Sequence, residues 1–231
     1  MTAEAFCQRE DQKISNEHIW PNWARKYLPV HENLTVEMHR IGRNASRWSP
    51  KDSAGVTIND VCKLCNEGWM HTLEGAVEPF LSHMISGDRP VELSPDQATT
   101  FAAWTYKITL LFDLIGPRDH RRFETAAYQA FYESRRARLT SVTWFAAFIG
   151  SMLSTATDRG LAIKAGGGEV VAATFSIGRL AFQLLSYDPR ALPRPGVWIP
   201  HLPLELAARV GLLWPILAAP DQACGSSWPP A

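Results

Sequence analysis

The sequence predicts an α+β protein in two parts, and three observations carry that prediction. In the first ninety residues, short alternating stretches lead to a cysteine pair and then to apolar residues repeating every four positions. Two aromatic stripes at helical spacing follow between residues 95 and 138. From Thr140 onward β-branched and aromatic residues accumulate in runs separated by turns. We therefore expect residues 1–90 to form a small strand-and-helix module, and residues 91–231 an α+β domain of two helices and an antiparallel sheet with no assigned role.

Composition bounds what such a protein does. At 231 residues and 46% apolar content, the chain can bury a large core without disulfide staples. Its 23 Lys and Arg balance 23 Asp and Glu, which excludes binding to nucleic acid through bulk charge and leaves only local basic surfaces. The longest uncharged run, Leu139 to Thr157, has its apolar centre at Val142–Leu153, short of the roughly 20 residues a spanning helix needs, so no membrane segment is expected. Met1 to Asp11 has no basic stretch followed by an apolar one; the expected compartment is the cytoplasm, with its thiols reduced.

The elements follow in order. Leu34, Val36 and Met38 alternate with polar residues and suggest a strand, and Gly55–Val61 supplies another before Cys62-Lys63-Leu64-Cys65, whose spacing is that of a metal knuckle. A helix then carries Trp69, Leu73, Val77 and Leu81, with Asn66 as its expected cap and Gly87 after its last turn. The boundary is expected at Gly87 to Pro95. Ser94 and Pro95 open a helix to Ile115 bearing Phe101, Trp104, Ile108, Leu111 and Phe112; a second, from about Asp119 to Arg138, bears Phe123, Tyr128, Phe131 and Tyr132. Val142–Ile149, Gly160–Lys164 and Val170–Tyr187 read as strands, and the tail with Trp214-Pro215 and Trp228-Pro229-Pro230 as a proline-rich finish packed over the core.

Three short stretches carry chemistry together: Glu17-His18-Ile19-Trp20-Pro21-Asn22-Trp23, then Cys62-Lys63-Leu64-Cys65-Asn66, then Gly68-Trp69-Met70 leading to Leu73-Glu74. An acid-His pair ending a strand, about 44 residues before a Cys-x-x-Cys-Asn that opens a helix, resembles the HNH endonucleases, whose ββα-metal module has that layout. More narrowly it is similar to bacterial and phage members with Glu-His-x-x-Pro and Cys-x-x-Cys-Asn-x-Gly-Trp-Met motifs. The resemblance covers residues 7 to about 85; Trp104-Thr105-Tyr106-Lys107 and Trp214-Pro215 also fit that group loosely without adding chemistry.

What the resemblance implies is a metal-dependent nuclease acting on DNA. His18 would activate water, a task suited to an imidazole with a pKa near 6.5. Glu17 and Asn66 would hold Mg²⁺ or a similar hard cation through oxygen, and Asn59 would orient the base histidine. The family also carries a Cys-x-x-Cys upstream of the acid-His pair. Here Cys7-Gln8-Arg9-Glu10 has Glu at the second sulfur position, so the expected structural zinc set is Cys7, Glu10, Cys62 and Cys65, the alternative being a helix held by packing alone.

Substrate contact is expected from Arg40, Arg43, Arg47 and Lys51, which lie with Trp48 in a stretch free of acids between the two strands, although a solvated loop explains the same charges. Arg135, Arg136 and Arg138 read as helix-dipole partners. The rival from another class is a zinc-stabilised nucleic-acid-binding or protein-interaction module without catalysis; RNA as substrate also stays open. Glu17, His18 and Asn66 around one solvent-open point would favour the enzyme.

Overall fold

The computed structural model describes residues 4–27, 36–38, 46–48, 56–115, 121–138, 141–147, 161–165, 168–187, 210–214 and 227–228. It is a mixed helix and strand structure, α+β as expected. The element order begins with β1 (Ile14–His18), a 3₁₀ turn (Asn22–Tyr27), β2 (Val36–Met38), β3 (Ser46–Trp48) and β4 (Thr57–Cys62). β1 and β4 pair antiparallel, as do β2 and β3. β4 runs directly into α1 (Lys63–Cys65), a π turn (Asn66–Met70) and α2 (His71–Ser86).

The start of this helical stretch differs from expectation. Cys62, in extended conformation at φ −77° and ψ 155°, accepts the Cys65 N–H on its sulfur at 3.3 Å, so the cap is Cys62. Asn66 already has helical dihedrals, φ −61° and ψ −60°. The extra residue of the π turn is taken up at Gly68, whose φ −94° and ψ −108° break the helical path between α1 and α2. At the other end the expected stop holds: Gly87 adopts φ +66° and its N–H returns to His83 O at 2.7 Å.

After β5 (Val91–Glu92), α3 (Pro95–Asp113) opens with a reciprocal capping box. The Gln97 N–H donates to Ser94 Oγ at 3.2 Å, and the Ser94 N–H donates to Gln97 Oε1 at 2.9 Å. Every residue from Phe101 to Asp113 is buried, which makes α3 the central helix rather than an amphipathic surface one.

The next helix is shorter than its aromatic pattern suggested: α4 covers Thr125–Ser134. The buried Asp113 carboxylate accepts the Arg122 and Phe123 N–H groups at 2.9 and 3.1 Å and the Tyr128 hydroxyl at 2.8 Å. That holds residues 121–123 as a turn before the helix. Arg135 at φ +56° ends it.

The second half builds a five-stranded antiparallel sheet in the order β10-β6-β9-β8-β7, from β6 (Ser141–Ala147), β7 (Leu161–Ala165), β8 (Gly168–Ile177), β9 (Leu180–Tyr187) and β10 (Val210–Trp214). The tail contributes two strands that the proline-rich reading did not anticipate: β10, beside β6, and β11 (Ser227–Trp228), beside β5. Val171, Ala173, Phe175 and Ile177 alternate into the core, as a sheet with one covered face requires. The β8–β9 turn docks on α2: the Arg179 N–H reaches Ile85 O at 2.9 Å, and a Cβ at Gly178 would collide with that carbonyl.

The boundary expected at Gly87–Pro95 does not separate two cores. One apolar cluster runs from Ala5 to Leu184. Trp20, two residues after His18, is fully buried and meets Phe112, Phe175 and Phe182 edge-on at 5.7, 6.3 and 6.1 Å. The strand with the acid-His pair is thereby anchored on α3 and the sheet. No helix among the described residues is long and apolar enough to cross a membrane.

Candidate functional site

Two buried polar clusters flank β1. The first joins Cys7 of the N-terminal segment to Cys62 and Cys65 at the junction of β4 and α1. Backbone pairing fixes the approach: the Ala5 N–H donates to Asp60 O at 3.0 Å and the Lys63 N–H to Lys13 O at 2.7 Å. The three cysteines are free thiols, with Cys7 Sγ and Cys62 Sγ 3.7 Å apart. That is far beyond a disulfide bond, but matches the edge of about 3.8 Å of a tetrahedron whose metal–sulfur bonds are about 2.3 Å.

The fourth member is not the expected one. Glu10 is exposed, and Glu4 completes the group, whose four ligand atoms all lie within 4.8 Å of one another. The second knuckle is therefore Glu4-Ala5-Phe6-Cys7, running upstream of Cys7 with the same two-residue spacing as Cys62–Cys65. Gln8, at φ +58°, closes this turn by donating from Nε2 to Glu4 O and Ala5 O at 2.8 and 2.7 Å.

The donor set fits a metal ion. Glu4 Oε2 accepts the Cys7 N–H at 2.5 Å, while Glu4 Oε1 is buried with no hydrogen-bond partner, an orphan that a cation would satisfy. Burial, reinforced by Glu4, pushes the Cys7 thiol up to about 11, and burial also raises Cys65. A bound cation would displace those protons. Three thiolates and a carboxylate suit zinc in a closed, structural site.

Trp69, read from sequence as a core position of the helix, has a second role here. Its indole N–H makes no completed hydrogen bond, yet lies close enough to the Cys65 sulfur to favour the thiolate. The ring is held edge-on by Phe6 and Phe131 at 5.6 and 5.5 Å, with the Arg135 guanidinium 4.4 Å from its centroid. Arg135 thus stacks on Trp69 and Tyr132 rather than serving only the helix dipole.

The second cluster surrounds Glu17. The Glu17 side chain is only 5% exposed, and its Oε1 lies 3.1 Å from Lys107 Nζ, an ammonium fully buried on α3. Lys107 also donates to Glu74 Oε1 of α2. Burial raises the Glu17 pKa, Lys107 opposes that and Glu74 adds to it; the two carboxylates outweigh burial at Lys107 and raise its pKa. Here Glu74, from the Leu73-Glu74 motif, and Lys107, from a stretch that offered no chemistry in the sequence, supply the partners of the acid-His strand.

The residues that the resemblance implies for a catalytic cation have other partners within the chain. Glu17 is paired with Lys107, and the Asn66 amide donates from Nδ2 to Ser15 Oγ at 3.0 Å. His18 is half-buried at the end of β1, opposite Thr57. Glu17 is buried, while His18 and Asn66 are half-buried. Asn59 is exposed and lies in a bulge: Ser15 opposes Val61 and Glu17 opposes Ile58, so Asn16 faces both Asn59 and Asp60. Asp60 pairs with Arg121. Of the basic stretch, Arg47 lies in β3 opposite Glu37, while Arg40, Arg43 and Lys51 fall outside the described residues.

Compared with protein-family models, with curated proteins and with solved structures, the chain matches none.

Proposed function

We propose that the chain is a nuclease of the HNH kind that hydrolyses phosphodiester bonds in DNA, with His18 as the base that activates water. The observation that carries this reading is the junction itself. The strand ending in Glu17-His18 pairs antiparallel with β4, and β4 turns at Cys62 into the helical stretch bearing Asn66, with the Ser15–Asn66 hydrogen bond across the two. The Glu4, Cys7, Cys62 and Cys65 donors clamp both segments just upstream of those residues, which is where a structural zinc would hold a small module rigid. A base needs such rigidity because displacement of the reacting groups costs rate steeply.

One observation favours a second reading. The burial of Glu17 against Lys107 removes an acid that metal-dependent hydrolysis would call on, which suits a zinc-clamped nucleic-acid-binding or protein-interaction module that does not cut. Incubating the full chain with supercoiled plasmid and Mg²⁺, Mn²⁺ or Ni²⁺ separates the two. On the nuclease reading, His18→Ala lowers the nicking rate by about 10² to 10⁴ with an unchanged melting curve. Equal nicking by wild type and variant removes His18 from the chemistry, and no nicking by either leaves the binding module.

A further inference from the structure

Among the described residues, Lys107 is the only buried lysine or arginine. An ammonium withdrawn from water is tolerated only where charge and hydrogen bonds replace its hydration. Three elements distant in sequence provide that: α3 carries Lys107, β1 carries Glu17 at 3.1 Å, and α2 carries Glu74. The two acids converge on one point, and the point is occupied by a tethered positive charge. A divalent ion sharing those two carboxylates would stand against Nζ and be repelled by it.

We propose that the Lys107 ammonium is the resident cation of the Glu17–Glu74 carboxylate pair, committing from within the acid that the HNH resemblance gives, with Asn66, to a divalent ion. The acid beside His18 is then charge-compensated at all times, whatever the metal concentration, and Glu17 supplies no metal ligand. This goes beyond the choice between nuclease and binding module, because it concerns what occupies the acid pair in either.

Mn²⁺ titration of the full chain, with its zinc in place and free Mn²⁺ followed by its paramagnetic resonance signal, tests this. Wild type and Glu17→Gln should bind Mn²⁺ alike. Lys107→Met should gain one site, about tenfold or more tighter than any in wild type, and lose it again in the Lys107→Met/Glu17→Gln double variant. A wild-type site that Glu17→Gln weakens about tenfold would overturn the proposal, since Lys107 would then step aside for the metal. A folded Lys107→Met protein with no gained site would overturn it equally. Should Lys107→Met not fold, the comparison of wild type with Glu17→Gln decides alone. Occupancy rather than cleavage is read, so failure of the nuclease reading and failure of this proposal are separate results.

Discussion

The cysteine cluster and the Glu17–Lys107–Glu74 cluster stand on either side of β1 and solve one problem in two ways. Each gathers acidic or potentially anionic side chains from segments far apart in sequence and buries them. In the first a balancing cation would come from solution: Glu4 Oε1 is left without a partner, and without an ion the Cys7 and Cys65 thiols are pushed toward their neutral forms. In the second the cation is part of the chain, and both carboxylates are already paired. The difference teaches that the N-terminal segments are tied to α3 by a charge within the chain near the end of β1, while near its start they present a donor set that could hold a metal ion.

The largest expected effect is at the cysteine end. Structural zinc contributes on the order of 10 kcal/mol to modules that cannot fold without it. Elemental analysis of protein purified without chelator should find about one zinc per chain, lost in Cys62→Ser. Metal removal should abolish amide-exchange protection in residues 4–27 and 57–70 while much of α3 and the sheet keep theirs, because Phe101, Trp104, Phe175 and Phe182 pack together independently of the cysteines. A metal-free chain with unchanged protection and melting would show that packing by Phe6 and Trp69 alone holds this end, and the contrast between the clusters would collapse.

The effect at the lysine end should be smaller but still large. Lys107→Met leaves the buried Glu17 carboxylate facing the half-buried Glu74, and breaking a buried ion pair from one side costs about 3–5 kcal/mol in urea denaturation. Glu17→Gln/Lys107→Met/Glu74→Gln together should recover most of that loss, as neutral replacement of a buried triad often does. The pH dependence has a definite sign. Lys107 is raised above its ordinary value of 10.5 by Glu17 of β1 and Glu74 of α2. Between that value and its folded pKa the folded state binds the extra proton. The stabilisation is therefore fully present below pH 10.5 and is lost as pH rises through the folded value. The gap between wild type and Lys107→Met should shrink above about pH 10, as Lys107 loses its proton, and also on acidification, as Glu17 takes one up and the variant no longer buries an unpaired charge; a gap that persists unchanged above the folded Lys107 value would place the charge balance elsewhere.

What the sequence disclosed and what it hid follow from the range of the interactions. Local signals are legible: Ser94 as the cap of α3, Gly87 as the stop of α2 and the two-residue spacing of Cys62 and Cys65 each depend on near neighbours, whereas the run Val170–Tyr187, read without a break, divides at the Gly178 turn into β8 and β9. Glu4 is hidden by the family register, which points downstream of Cys7 to Glu10, although Glu4 stands at the same spacing upstream. The partnership of Glu17 with Lys107 had no local signature at all, since it spans ninety positions and needs the α3 packing to exist. The helix start misled for a subtler reason. Asn is a favoured cap, and only the extended backbone at Cys62 shows that a thiol took that place one turn earlier.

That last point carries the smallest expected effect and a sharp test of which end of β1 governs the junction. If Asn66 were the cap, Asn66→Ala would cost about 0.5–2 kcal/mol through the helix, whatever residue stood at position 15. With Cys62 as the cap, the cost runs instead through the hydrogen bond from Asn66 Nδ2 to Ser15 Oγ at 3.0 Å, and Ser15 Oγ is itself positioned by donating to Val61 O at 3.3 Å. A hydrogen bond of this half-buried kind is worth about 0.5–1.5 kcal/mol. In a double-mutant cycle, Asn66→Ala should therefore cost about 1 kcal/mol in wild type and little in a Ser15→Ala background, giving a coupling energy near the full single-mutant value. An undiminished cost in the Ser15→Ala background would assign Asn66 to the helix after all, and the link between the acid-His strand and the helical stretch would then rest on the cysteine clamp alone.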